Sequence, residues 1–260
     1  MSFATMKEMA TTRELKVGHF IVEFATPGIG QILSAAGCDF ALLDCEHSGF
    51  GFETVKSALR YMQAGDLPTI VRVPSREYHH IARAADAGAE GLMLPMVGSA
   101  EEARTILDCL KYTPDGRRGV ALAIAHDRYR PPTSVLDALA EANRRTTLFA
   151  QIETREGVHN VDAIAALDGV DCVWVGHFDL SASLGIPGQF DHKDFTDAIK
   201  AVIAAGRRHN KAVGRLVPTV EQGVELYKQG FDFICYSGDV WALHGAVKDG
   251  VDRIRKGAAG

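Results

Sequence analysis

The stretch Asp168-Gly169-Val170-Asp171-Cys172-Val173-Trp174-Val175-Gly176-His177-Phe178-Asp179 carries three signals in succession. A glycine closes a helix-like segment, at the C′ position where a left-handed backbone is needed. An apolar run rich in β-branched and aromatic residues follows and reads as a buried strand. That run ends on a histidine and an aspartate. The same glycine junction recurs at Ala36-Gly37-Cys38-Asp39-Phe40, Ala87-Gly88-Ala89-Glu90-Gly91 and Gln229-Gly230-Phe231-Asp232-Phe233. The same polar ending recurs too. Phe40-Ala41-Leu42-Leu43 runs into Asp44-Cys45-Glu46-His47, Pro68-Thr69-Ile70-Val71 into Arg72, and Leu148-Phe149-Ala150 into Gln151-Ile152-Glu153.

A repeated helix-to-strand junction predicts parallel strands joined by crossover helices, with both sheet faces covered. Strand-like runs lie near 17–23, 40–44, 68–73, 91–96, 147–152, 171–176, 212–217 and 231–236. Helical periodicity fills the gaps at Phe52–Ala64, Ile81–Ala87, Ala100–Leu110, Asp194–His209 and Val220–Gln229. Eight such units in 260 residues predict an α/β fold, a (β/α)8 TIM barrel forming a single domain over 1–260. No composition break marks a second domain. Pro114–Thr146, rich in Arg and Pro, reads as loop or subunit contact.

The net charge of −5, with no Lys/Arg run, excludes an electrostatic footprint for nucleic acid. No apolar stretch reaches the ~18 residues needed to cross a membrane. The N-terminal Lys7, Glu8, Arg13 and Glu14 leave no signal-peptide core. Five cysteines without a Cys-x-x-Cys spacing read as reduced thiols, so a cytoplasmic protein is expected. Among them Cys45, inside the Asp44–His47 cluster, is either reactive or a small side chain tolerated at a crowded strand end.

Barrel enzymes keep their chemistry at the C-terminal ends of the strands. Glu153 and Asp179 end adjacent strands, and paired carboxylates without cysteine suit a hard divalent ion. Asp179 is equally placed to cap the helix that follows. Asp44 and His47 suit an orienting carboxylate and a general base, or a structural hydrogen bond. Arg72 closes an apolar strand, where it meets either an anionic substrate or a structural ion pair. Glu46 either contacts bound water or is solvated. No lysine lies inside a strand run, which disfavours a Schiff-base mechanism. Ser237-Gly238, after the eighth run, weakly resembles a barrel phosphate site.

Taken in order and spacing, several segments resemble the HpcH/HpaI family of metal-dependent pyruvate aldolases. They are Leu43-Asp44-Cys45-Glu46-His47, Val71-Arg72, Leu94-Pro95-Met96-Val97, Arg118-Gly119-Val120, Gln151-Ile152-Glu153-Thr154 and Asp179-Leu180-Ser181-Ala182-Ser183-Leu184-Gly185. The resemblance implies a class II aldolase, a carbon–carbon lyase cleaving a 4-hydroxy-2-oxo acid to pyruvate and an aldehyde through a metal-stabilised enolate. It implies Mg2+, Mn2+ or Co2+ held by Glu153 and Asp179. Arg72 would face the keto oxygen, and His47 would be a base working with Asp44. Gln151 would be a substrate-side donor, and the backbone from Gly176 through Phe178 to Asp179 would hold the pyruvate carboxylate. Trp174 and Leu216 would line the aldehyde pocket, and Asp86 would reach a neighbouring subunit's site. A homo-oligomer, typically a hexamer exchanging C-terminal helices, is implied as well.

Four features depart from the family pattern: His177-Phe178 beside the carboxylate site, Ala121-Leu122-Ala123-Ile124 after Val120, Glu23, and Arg215. They bear on the acceptor aldehyde more than on the pyruvate half. The enzymatic alternatives are an oxaloacetate decarboxylase and a malyl- or citramalyl-CoA lyase. For the latter, Arg117, Arg118, Arg128 and Arg130 are expected around the barrel mouth. A non-catalytic metabolite-binding barrel is the alternative outside enzymes.

Overall fold

The strands of the computed structural model, which describes residues 5–259, pair in parallel and in chain order into a closed barrel. They are β1 (Lys16–Ile21), β2 (Phe40–Asp44), β3 (Thr69–Arg72), β4 (Gly91–Leu94), β5 (Thr147–Ile152), β6 (Val170–Val175), β7 (Ala212–Val217) and β8 (Phe233–Gly238). The first six helices are α1 (Met6–Thr11), α2 (Ile29–Ala35), α3 (Phe52–Ala64), α4 (Tyr78–Asp86), α5 (Ala100–Leu110) and α6 (Val135–Arg145). The rest are α7 (Arg155–His159), α8 (Val161–Ala165), α9 (His177–Ser183), α10 (Lys193–Arg208), α11 (Val220–Gln229) and α12 (Asp239–Ala258).

Strand side chains alternate between two cores, as the two-residue period requires. Leu43, Val71, Ala150, Ile152, Val173 and Val175 face the helices in the larger core. Phe40, Leu42, Ile70, Phe149, Cys172 and Trp174 fill the barrel. The filling is aromatic: Phe233 meets Phe40 and Phe149 edge-on, with centroids 5.3 and 5.4 Å apart. Met6, Met9 and Ala10 of α1 join this interior and close the end where the strands begin. Counted along the same parity, Asp44, Arg72, Gln151 and Glu153 fall on the inward set at the opposite end. Alternation alone therefore aims them into one mouth.

Several expectations shift. Gly37, Gly88 and Gly230 do adopt positive φ, whereas Gly169 does not; it gives room to Leu107, 2.4 Å from where a Cβ would stand. Lys16 is the first residue of β1, at the end remote from the mouth, where its Nζ donates to the Thr12 carbonyl at 2.8 Å. Strand β8 runs two residues later than its apolar run, because Phe231 and Asp232 precede the ladder. The 114–146 segment is more than loop. It holds a 3-10 turn at Ala125–Asp127 and all of α6, whose first turn is capped by Ser134.

Helix α12 stands apart. Asp239 anchors its start by accepting from the N–H groups of Val22, Glu23 and Phe24, the last at 2.7 Å. Beyond it, Trp241, Leu243, Val247 and Ile254 are exposed.

Candidate active site

Strand pairing sets Asp44 opposite Arg72. Buried Asp44 accepts from Arg72 Nε at 2.7 Å, and from the backbone N–H groups of Glu46 and His47 at 3.0 and 3.1 Å. One carboxylate thus fixes both the guanidinium and the turn that follows β2. The imidazole of His47 is oriented differently from a simple Asp–His pair. Its side chain is 65% exposed, and Nε2 lies 3.8 Å from Glu46 Oε2. The Arg72 guanidinium also stacks over Phe20 at 5.3 Å. Burial pulls its pKa down, but the Asp44 hydrogen bond and the charges of Asp44 and Glu46 outweigh this and hold it above the usual value.

Glu153, 2% exposed, accepts from the Met96 N–H at 2.6 Å and from the Gln151 side-chain amide. Met96 takes a left-handed backbone, φ 57°, to present that N–H, an uncommon conformation outside glycine. Gly176 makes the other wall, since a Cβ there would sit 2.1 Å from Glu153 Oε2. Burial pushes the Glu153 carboxyl up to about 7, against the lowering effect of its two hydrogen bonds, and Glu46 and Asp179 push it the same way. Glu46 is also raised, first by burial and despite Arg72 and His47. Its Oε2 lies 3.1 Å from Arg72 Nη1 but is buried without an aligned hydrogen bond.

Asp179 sits in the first turn of α9, exposed, and makes no capping hydrogen bond. Its capping role is therefore absent. The amides of His177, Phe178 and Asp179 precede the first intrahelical bond, Leu180 to Gly176, and find no acceptor among the described residues. Phe178, 64% exposed, stands beside them, its ring 4.5 Å from that of His177. Trp174 is 3% exposed, packed on Gly214 and Phe149, so it forms the floor of the mouth; Leu216 is only partly buried above it.

Some residues lie elsewhere. Asp86 ends α4 at the far end of the barrel, ion-paired with Arg118. Arg118 and Arg128 line a cavity there with Glu90, which precedes β4, so neither stands at the mouth. The outward parity of Arg215 puts it between β7 and α10, against Phe190 and Phe195. Beside the Ser237-Gly238 corner, the Asp239 carboxylate already occupies the amides of Val22, Glu23, Phe24 and Val240, so an anion there would meet a negative charge. Burial pushes the Cys45 thiol up to about 12, which removes the reactive reading. Two participants had no clear sequence signal: the Met96 amide, which depends on a strained non-glycine backbone, and Phe20, an ordinary strand residue until Arg72 is laid across it.

Together the mouth brings Glu46, Glu153 and Asp179 near one another with Arg72 as the cation beside them. Among the described residues no group of three His, Cys, Asp or Glu side chains forms a ready metal cage.

Residues 18–243 match the HpcH/HpaI aldolase/citrate lyase family. A 5-keto-4-deoxy-D-glucarate aldolase from Shigella boydii is 31% identical over 250 residues, covering 96% of each chain. An HpcH/HpaI aldolase/citrate lyase family protein from Burkholderia cenocepacia superposes with a TM-score of 0.89 at 32% identity, covering 96% of this chain and 98% of its own. The HpcH/HpaI aldolase from Desulfitobacterium hafniense gives 0.90 at 31% identity, covering 96% of each. Barrel and relatives agree: the chain belongs to the HpcH/HpaI aldolase/citrate lyase family and is a carbon–carbon lyase of the aldolase type.

Proposed function

We propose that this aldolase reversibly cleaves a 4-hydroxy-2-oxo acid to pyruvate and an aldehyde, with a divalent metal at Glu153 and Asp179. The observation that carries the reading is the uncompensated negative charge at the mouth. Burial, together with the neighbouring Glu46 and Asp179, raises Glu153 to about 7, and a buried Glu46 oxygen near Arg72 has no aligned donor. An all-oxygen donor set of this kind fits Mg2+, Mn2+ or Co2+. Bound there, the ion supplies Lewis acidity to the keto oxygen of pyruvate.

The chain's own groups do the rest. The free amides of His177 to Asp179 receive the pyruvate carboxylate. Arg72, held by Asp44, adds positive charge where the oxygen becomes negative. His47, exposed above Glu46, moves the proton at the acceptor side, and Gln151 steadies Glu153 while facing the substrate. Relatives named for 5-keto-4-deoxy-D-glucarate make that keto-deoxy sugar acid the first substrate to assay. The CoA-lyase reading loses two of its four arginines, since Arg118 and Arg128 lie at the other end of the barrel.

We also propose a homo-oligomer, a hexamer, built through α12. Its exposed Trp241, Leu243, Val247 and Ile254 suit burial against a second copy. Asp86, remote from its own mouth and ion-paired with Arg118, would approach a neighbour's site together with that arginine. Five free cysteines support a cytoplasmic location.

Chelation tests the metal. EDTA should abolish cleavage, and Mg2+, Mn2+ or Co2+ should restore it; Glu153→Ala and Asp179→Ala should lose both metal and activity yet keep the fold. Full turnover of thoroughly chelated protein, or a pyruvyl-lysine adduct after borohydride, would overturn the reading.

A further inference from the structure

At the end of the barrel remote from the mouth, a cavity of about 40 Å3 lies between the start of β4, the 114–146 segment and the end of α6. Arg118, Arg128 and Arg145 line it, with Glu90 as the one carboxylate of the lining. The arginines come from three separate places: the turn after α5, the strained loop, and the last residue of α6.

Their hydrogen-bonding capacity is only partly spent. Arg118 is committed, because its Nε and Nη2 hold Asp86 and its guanidinium lies 4.4 Å over the Tyr112 ring. Arg145 is less so. Its Nη atoms reach only the His126 carbonyl, at 3.5 and 3.4 Å. Its Nε is buried without a hydrogen bond, and Glu141 Oε1 is 3.5 Å away. Arg128, with φ 55°, has no side-chain partner among the described residues. Behind the wall at Gly88, Arg60 has a buried Nε that is also orphaned. Buried donors without acceptors are costly, and native structures satisfy nearly all of them. The space exceeds the ~10–15 Å3 that a single water needs.

We infer that this cavity is a binding site for a tetrahedral oxyanion, a phosphate group held by Arg145 and Arg128 with Arg118 beside them. The guanidinium fork matches phosphate geometry, and with Arg118 paired to Asp86 and Arg145 to Glu141, Arg128 and the adjoining Arg60 still outnumber Glu90. Occupancy would join α4, the 116–129 loop and α6, so the bound anion would stiffen a segment far from the chemistry. The group comes either from free phosphate or from a phosphate monoester whose tail points to solvent.

The test titrates the intact oligomer with inorganic phosphate, glycerol 3-phosphate and, as a planar control, acetate, all at one ionic strength. Melting temperature and amide exchange are read in each arm. Phosphate or the monoester should raise the melting temperature saturably and slow exchange across 114–146, and acetate should not. Tighter binding of glycerol 3-phosphate would identify a monoester as the source; equal or weaker binding would identify the free ion. Arg145→Gln and Arg128→Gln should each weaken the phosphate effect about tenfold, and Arg72→Gln should leave it intact. Arg128 is exposed and unpartnered, so that variant should fold even if Arg145→Gln does not. Absence of saturation, an unchanged affinity in Arg128→Gln, or loss only in Arg72→Gln would overturn the assignment.

Discussion

The two ends of the barrel are charged in opposite senses. At the mouth, Glu46, Glu153 and Asp179 crowd around Arg72, and burial with mutual repulsion drives Glu153 up to about 7. At the far end, Arg118, Arg128 and Arg145 surround a small cavity faced by one glutamate. A folded chain rarely leaves charge of one sign unbalanced in a partly buried place unless a counter-charge arrives from outside. The contrast teaches how the two proposals differ: the mouth would take a cation and then an organic acid, and the far end an anion.

The largest break in that comparison should come from Arg72, the cation beside the mouth's carboxylates. Arg72→Ala removes the positive contact and leaves Asp44 buried without its partner. Cleavage and deuterium exchange into pyruvate should both fall about 10²–10³-fold. Arg72→Lys should rescue little, because an ammonium cannot reproduce the Nε contact to Asp44 while facing Glu46. His47→Ala should slow cleavage more than exchange, since its imidazole stands on the exposed side. Equal loss of exchange and cleavage in both variants would show that the division into an enolate half and an acceptor half is wrong.

The next effect sharpens the boundary between the mouth and the apolar interior below it. Substituting Leu216, or the floor residue Trp174, should change acceptor preference by roughly 1–3 kcal/mol, about 10–200-fold in relative kcat/KM. Pyruvate exchange without aldehyde should stay near normal. A uniform drop across acceptors together with lost exchange would mean that these residues support the barrel rather than select the aldehyde. Leu216 is the cleaner probe, because Trp174 also packs on Gly214.

The smallest effect is on stability. With metal removed, the folded chain holds the Glu153 proton more tightly than an unfolded chain does, so νN exceeds νU between the ordinary value of 4.5 and about 7. The stability this group contributes is whole below pH 4.5 and is lost as pH rises through about 7. Glu153→Gln cannot ionise, so its melting temperature should decline less over that window, by a difference on the order of a few degrees. An identical slope in both proteins would show that the mouth is better solvated than its packing indicates.

Much of this was legible in the residues. Periodicity and glycine junctions place the eight strands to within two residues. Parity then carries Asp44, Arg72, Gln151 and Glu153 to one mouth. Gly169 shows one limit, because a glycine read as a conformational need proved to be a packing need against Leu107. Asp44 shows another. Its spacing to His47 suggests a dyad, but strand pairing brings Arg72 Nε to the carboxylate and leaves only the His47 backbone within reach.

What the sequence by itself determined is therefore the set of inward positions, because a strand's side chains alternate whatever surrounds it. What only the tertiary structure decided is which partner each charge meets. Arg72 and Arg215 both stand on short apolar strands. One faces inward and is clasped by Asp44; the other faces outward, 4% exposed, among Phe190, Phe195 and His177, with no carboxylate partner among the described residues. Likewise Arg118 finds Asp86 across the chain, whereas Arg145 meets only Glu141 on its own helix, at 3.5 Å, and a distant carbonyl. Local sequence sets direction through backbone geometry, but electrostatic pairing depends on distances between segments far apart in the chain, and closure of the barrel sets those distances.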